Sequence, residues 1–443
     1  MNANVDKHLS RRRFLGAGAA GLATATAFAC EETAQTGPAG REAYASLHDL
    51  VADLPPLTRP AGPEDGAWSH VRARFVLEPG TAYMNNASLG MPPAPVAAAV
   101  AAGYEAISRE PLHGKHDLQD LIRERVLPGL ATFLGAATDE ISLTRNATEA
   151  LHLGAVGLDL GPGDEVLVTS QEHPAGRAPW DFLAHTRGVR INTVFIPSPF
   201  ASGEEVVGRI EEAITPRTRA IAFCHVTRGG HLYPVKALCE MAREQGVVSH
   251  VDGAQAVGMF PVDLRDLGCD SYSASLHKWF LGPMGTGVLF VRRESRNRIR
   301  SAYARANDPA EGFAHHAPGG TADLPVRAAL APALDLVETL GIENVADRAR
   351  FLSDRLKAGL AQLPGLTLLS GATPETCCPG STIFELDGVD ALAAVPGMEE
   401  RVRVHLDEHQ RDGHNAIRIS THIFNTVDEI DRALAGLRDM AGA

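Results

Sequence analysis

The chain has 443 residues, 44% of them hydrophobic and 21% charged, with six cysteines and a formal net charge of −13. That length permits two or three domains with an ample core, and the acidic balance offers no general attraction to nucleic acid or anionic lipid. Six cysteines in so long a chain are no disulfide framework, and their spacings match no metal site.

Ser10-Arg11-Arg12-Arg13-Phe14-Leu15 precedes a mildly apolar run at 16–23 that is too short and glycine-rich to cross a bilayer. The segment resembles a twin-arginine export signal, so residues 1–30 are expected to be a signal peptide read by the twin-arginine translocase. Export by that route delivers a folded, cofactor-loaded protein to the periplasm or the medium. Ala27-Phe28-Ala29-Cys30 resembles a lipoprotein cleavage box without its usual leucine, which makes Cys30 a candidate lipid anchor. Residues 31–45 are polar and read as a disordered linker.

Residues 46–93 are expected to join the smaller of two domains, and 94–136 read as two helices leading into a sheet. Short β-rich runs follow at 141–144, 165–169, 190–196, 219–224, 247–251, 270–275 and 287–292. They alternate with helical patterns such as 205–214 and 235–245, punctuated by Gly161-Pro162-Gly163-Asp164 and Gly282-Pro283. This alternation predicts an α/β fold whose large domain, 94–322, holds a mostly parallel seven-stranded sheet covered by helices. From 323 to 443 the pattern changes to alanine- and leucine-rich helices at 324–341 and 344–363. Short strands near 366–369 and 416–420 and a closing helix from about 427 complete a smaller α+β domain. Cys224, Cys239 and Cys269 lie in apolar patterns and read as core, whereas Cys377-Cys378, on a Pro/Thr-rich stretch, reads as exposed.

Ser273-Ala274-Ser275-Leu276-His277-Lys278-Trp279 places one lysine just past a strand and just before the glycine-rich run 282–287. A lysine held at a strand end, beside groups that bind phosphate, is what a covalently attached pyridoxal phosphate requires. Val247-Val248-Ser249-His250-Val251-Asp252 is a buried-type strand ending in an acid, which can bond a protonated pyridine nitrogen. Gln255, three residues on, can reach the phenolic oxygen. Thr144-Arg145-Asn146-Ala147-Thr148 sets a strand end against a helix start, where free N–H groups and the helix dipole favour an anion. Ala147 and Thr148, with Ser275 and His277, are the candidate phosphate ligands. Taken singly, each feature has a plainer reading as a cap, a turn-forming acid or a surface histidine.

In this order the motifs resemble those of the class V aminotransferases, the fold-type-I group that includes cysteine desulfurases and isopenicillin N epimerase, over roughly residues 80–440. The resemblance implies pyridoxal 5'-phosphate bound through Lys278, with Asp252 at the ring nitrogen. It also implies that His173, in Thr169-Ser170-Gln171-Glu172-His173-Pro174, stacks on the ring. Gly319-Gly320-Thr321 matches the segment that reaches a neighbour's phosphate, with Thr321 as the ligand, which implies a homodimer with shared sites. Arg418, in Ile417-Arg418-Ile419-Ser420, takes the place of the arginine that grips the substrate's α-carboxylate. Asn86, in Tyr83-Met84-Asn85-Asn86-Ala87-Ser88-Leu89-Gly90, takes the place of an asparagine at the substrate mouth.

Three departures lean toward the epimerase-like branch. The stretch 405–415 holds no cysteine, where desulfurases carry their nucleophile shortly before the arginine. Arg228 stands where relatives often have asparagine or serine, and an added cation there acts on cofactor electronics or substrate choice. Met284 replaces a polar residue common in desulfurases. The expected activity is an exported enzyme working at the Cα of an amino acid, or of an amino-acid moiety in a small peptide or secondary metabolite, by transamination or epimerisation. β-Elimination on a sulfur amino acid is the alternative. A non-catalytic binding protein is the third reading, and the intact Lys278, Asp252 and His173 argue against it.

Overall fold

The computed structural model describes residues 50–303, 320–411 and 413–442. The signal-like segment with Cys30, the 31–45 linker and Gly319 lie outside the described residues. No helix among the described residues is long and apolar enough to cross a membrane, and none of their His, Cys, Asp or Glu side chains cluster as a metal site.

A two-residue strand, β1 (Ala82–Tyr83), precedes helices α1 (Ala94–Arg109) and α2 (Pro111–Leu121). The break between them falls at Glu110, which is extended at φ −145°, because Pro111 restricts the residue before it and supplies no N–H to continue the ladder. A π-helical turn, Ile122–Val126, and a further helix, Leu127–Phe133, complete the region expected as two helices.

The large sheet comprises β2 (Ile141–Thr144), β3 (Glu165–Thr169), β4 (Arg190–Val194), β5 (Thr218–Cys224), β6 (Val248–Asp252), β7 (Ser271–Ser275) and β8 (Gly287–Val291). Their spatial order is β2-β8-β7-β6-β5-β3-β4, and β8 alone runs antiparallel to its neighbours. Between strands lie α3 (Ala147–Val156), α4 (Pro174–Arg187), α5 (Gly203–Glu212) and α6 (Val235–Glu244). β3, β6, β7 and β8 are buried along their whole length, as a sheet covered on both faces requires. Successive side chains point to opposite faces. Leu167, Ile221, Phe223 and Val251 therefore enter one core, and Val166, Val168, Ala220, Ala222 and Val248 enter the other. Each such large apolar side chain contributes roughly 1.5–3 kcal/mol when fully buried. β2, β3, β5, β6 and β7 all end at one edge, the place where α/β sheets bind ligands.

The helix expected over 324–341 is two pieces, Leu324–Ala328 and α7 (Leu330–Leu340). Pro332 explains the break, since it cannot donate to the Ala328 carbonyl and its ring crowds that oxygen. Leu330, Ala333, Leu334 and Val337 of α7 pack in one cluster with Val126, Leu130 and Phe280 of the large domain. The second core begins only at Leu352, inside α8 (Ile342–Leu360).

Beyond it come β9 (Leu366–Leu368), β10 (Ser381–Leu386), α9 (Ala391–Val402), β11 (Val404–His405), β12 (Asp407–Arg411), β13 (His414–Ser420) and α10 (Val427–Met440). Four of these strands form an antiparallel sheet in the order β12-β13-β10-β9. β1 pairs in parallel with β11, Ala82 opposite Val404, and Ala82 and Met84 enter the second core beside Phe384 and Ile419. Cys377 and Cys378 are buried, which corrects their expected exposure. The Cys378 N–H donates to the Gly230 carbonyl at 2.9 Å, strapping this stretch onto the turn that follows β5.

Candidate active site

Lys278 leaves the end of β7 on a tight turn in which the Gly282 N–H returns to the Leu276 carbonyl at 2.8 Å. Leu281 closes that turn at φ +60°, a left-handed conformation uncommon outside glycine. The 85–90 segment backs the turn, with the Gly90 N–H donating to the His277 carbonyl at 2.8 Å. A Cβ at position 90 would sit 1.9 Å from the Lys278 carbonyl oxygen, so only glycine permits this approach. Burial pushes the Lys278 amine down to about 8; the Asp252 charge opposes the shift, and Arg418 and Arg228 add to it.

Asp252 ends β6, fully buried, its Oδ1 accepting the Ala254 N–H at 2.9 Å. Burial raises its pKa, while that hydrogen bond and the Lys278 charge pull it down. A second carboxyl, Glu172, lies close behind. Burial raises it to about 8, the Thr169 hydroxyl hydrogen bond opposes this, and Asp252 pushes it further up. Its Oε1 accepts from Thr169 Oγ1 at 2.5 Å and from the Cys224 N–H at 3.2 Å. Gly176 separates the two acids: a Cβ there would stand 3.4 Å from both Asp252 Oδ2 and Glu172 Oε2.

The start of α3 supplies the anion cradle. Asn146 caps the helix, its side chain accepting from the Glu149 N–H at 2.9 Å. Ser275 Oγ accepts from the Ala147 N–H at 3.0 Å, joining the ends of β7 and α3. Gly287, the first residue of β8, lies so near that an added Cβ would be 2.7 Å from the Asn146 backbone.

His173 caps α4, its Nδ1 accepting from the Ala175 N–H at 3.1 Å. Although the residue keeps an exposed face, the protein packed around its ring pushes it down to about 4, and the charges of Lys278, Arg228, Arg411 and Arg418 act in the same direction. The imidazole is therefore neutral at pH 7. Arg411, from β12, donates to the Gln171 and Glu172 carbonyls at 2.8 and 2.6 Å and fixes the chain leading to His173.

These groups surround one cavity. Of the residues expected from sequence, Ala147, Thr148, His173, Arg228, Asp252, Gln255, Ser275 and Lys278 line it. Gln255 does so while its Nε2 donates to the Ala87 carbonyl at 2.9 Å and its Oε1 accepts from the Trp279 indole at 2.8 Å. Four expected residues stand elsewhere. His277 turns its Nδ1 to the Thr286 carbonyl at 3.1 Å, because the turn that buries Lys278 sends the preceding side chain outward. Thr321 is exposed on this chain. Asn86 is fully buried among backbone groups of the Ser420 strand end, and it is Asn85 whose Oδ1 receives Arg418 at 3.2 Å. Arg418 lies behind the cavity wall, paired with the Asp407 carboxylate. Sequence reasoning missed Glu172, Arg411 and the Asp407-Glu408 pair. Glu172 follows β3 as directly as His173 does, and that position was its only signal.

The donor set fits pyridoxal phosphate: a helix N-terminus for the phosphate, a buried acid for the ring nitrogen and a low-basicity amine for the aldehyde. Fold and site define a fold-type-I pyridoxal-phosphate enzyme. The chain belongs to the class V aminotransferases, whose family pattern matches residues 82–433. It is 32% identical over 413 residues to isopenicillin N epimerase of Amycolatopsis lactamdurans, covering 85% of this chain and 99% of that protein. It is 26% identical over 420 residues to a probable cysteine desulfurase of Pyrococcus abyssi, covering 85% and 97%. Among solved structures it resembles a C-DES mutant with glycine covalently linked to its PLP cofactor, at TM-score 0.74 and 26% identity, over 83% of this chain and 99% of that one.

Proposed function

We propose that this chain is an exported class V enzyme that makes and breaks the Cα–H bond of an amino acid, or of an amino-acid moiety in a small peptide or secondary metabolite, leading to epimerisation or transamination. One observation carries the proposal: the buried, low-basicity amine of Lys278 shares a cavity with the buried acid of Asp252 and the neutral ring of His173. When bound, pyridoxal phosphate supplies an electron sink for charge developing at the substrate Cα. The chain supplies the rest. Ala147, Thr148 and Ser275 hold the phosphate at the α3 N-terminus. Asp252 would keep a proton on the ring nitrogen, and His173 would stack on the ring. Lys278 Nζ, whose lowered basicity brings it near the working pH, carries the proton to and from Cα. Arg418 would take the substrate carboxylate once Asp407 gives it up, which disfavours decarboxylation. The lack of a cysteine over 405–415 counts against persulfide chemistry. Export through the twin-arginine translocase and a homodimer with Thr321 crossing to the neighbour's phosphate belong to the same proposal, supported by residues 10–23 and 319–321 of the sequence.

The test is to incubate the cofactor-loaded protein with a panel of amino acids and small peptides in deuterated water. Deuterium at Cα with loss of optical purity identifies epimerisation, and a 2-oxo product identifies transamination. Ammonia with cleavage at Cβ would replace both with elimination. No exchange across the panel, from protein that shows the cofactor's visible band, would overturn the proposal.

A further inference from the structure

Three arginines stand near His173, and they are not equivalent. Arg411 spends its guanidinium on two backbone carbonyls. Arg418 is 3% exposed, paired with Asp407 and Asn85, and does not reach the cavity surface. Arg228 is the one that lines the cavity, and its side chain is 29% exposed. Its Nη2 binds Glu408 twice, at 2.9 Å to Oε1 and 3.1 Å to the carbonyl. Both bonds leave from the same nitrogen, so the Nη1 and Nε donors have no hydrogen bond among the described residues.

From this arrangement we infer that Arg228, with Glu408 as its placeholder, forms a second anion subsite and selects substrates that carry a second carboxylate besides the one at Cα. Asp407 and Glu408 are consecutive on β12; Asp407 pairs with Arg418 and stands 3.9 Å from Arg228, and Glu408 pairs with Arg228, so two chain carboxylates face two cations at one rim of the site. Glu408 is 26% exposed, and apart from Arg228 its carboxylate accepts only the Gln410 N–H, at 2.8 Å to Oε2, so it can turn from the arginine toward water while keeping that bond. An incoming carboxylate that displaces the Glu408 carboxylate from Nη2 can take an edge of the Arg228 fork in bidentate fashion, which an ammonium in that position could not match. Glu408 then swings to solvent, and no buried charge is stranded. The inference rests on the pyridoxal-phosphate reading, in which the α-carboxylate goes to Arg418.

The experiment uses the full cofactor-loaded protein and a series of unreactive dicarboxylates from malonate to pimelate, with butyrate as the monocarboxylate, each titrated by calorimetry. The best dicarboxylate should bind at least about tenfold tighter than butyrate. Arg228→Gln should abolish that preference while leaving butyrate affinity in place. Glu408→Gln should raise dicarboxylate affinity several-fold by removing the competing anion. Equal affinities across the series in the unmutated protein, or a preference that survives Arg228→Gln, would overturn the inference. Failure of the underlying reading is separately visible, because a protein that gains no visible band with pyridoxal phosphate fails before any carboxylate is added.

Discussion

Lys278 and Asp252 are both buried in the floor of one cavity, and each is a partial counter-ion for the other. For both, the loss of water outweighs the mutual attraction: the amine falls to about 8 and the carboxyl rises above its ordinary value. An amine deprotonated in part at neutral pH is a competent nucleophile toward an aldehyde, and a fully paired ammonium would not be. The balance ties the reactivity of Lys278 to the burial of its surroundings.

Lys278→Ala should fold and bind pyridoxal phosphate without a covalent bond, losing the visible band of the linked cofactor. Turnover should drop by about 100-fold or more, the scale of a lost proton carrier. A band kept at the original wavelength would reassign the lysine. Asp252→Asn retains shape and removes charge, and should weaken cofactor binding by about 1.5–3 kcal/mol, read from the dissociation constant.

Gly90→Ala puts a methyl group against the Lys278 carbonyl, a backbone atom with no rotamer to yield. Overpacking of this kind costs about 1–3 kcal/mol. Urea unfolding should show that loss together with slower cofactor attachment, since the displaced strand carries the lysine. Normal attachment at reduced stability would place the strain elsewhere.

Four buried histidines, His225, His250, His409 and His422, are pushed down to about 3, 4, 3 and 4. In the unfolded chain they titrate near 6.5. The unfolded state therefore takes up protons that the fold refuses, and stability present above pH 6.5 is lost as pH falls toward 4. The Tm of the apoprotein should drop steeply across that window; an unchanged Tm between pH 7 and pH 5 would contradict the burial.

Glu172 has the opposite sign. Its folded pKa is raised to about 8 from 4.5, so its stabilisation is complete below pH 4.5 and is lost as pH rises through 8. Glu172→Gln keeps an oxygen for the Thr169 and Cys224 bonds and cannot ionise. Relative to the unmutated protein, its stability to urea should improve steadily from pH 5 to pH 8.5. A difference constant with pH would show that Glu172 is already ionised beside Asp252.

The site was legible where chemistry coincides with strand ends. Ser275, Asp252 and Thr144 close runs of β-rich residues; parallel pairing carries the ends of β6 and β7 to one edge, and two antiparallel steps through β8 bring the end of β2 to the same edge. β12 was not legible, because Asp-Glu-His-Gln-Arg has neither apolar alternation nor β-branched residues and is a strand only through its ladder with β13. Cys377 and Cys378 misled because their polar neighbours suggest a surface, whereas the bond from Cys378 to Gly230 buries them.

By itself the sequence determined the family and the cofactor and singled out Lys278 as the candidate lysine, because strand periodicity and ordered motifs are local properties that survive without coordinates. Tertiary structure decided which arginine lines the cavity and which is paired with Asp407 behind it, that Glu172 stands beside Asp252, and that Asn85 meets Arg418. Those outcomes depend on contacts between residues as much as 333 positions apart, where packing and desolvation, invisible in a local pattern, set each group's partners and charge.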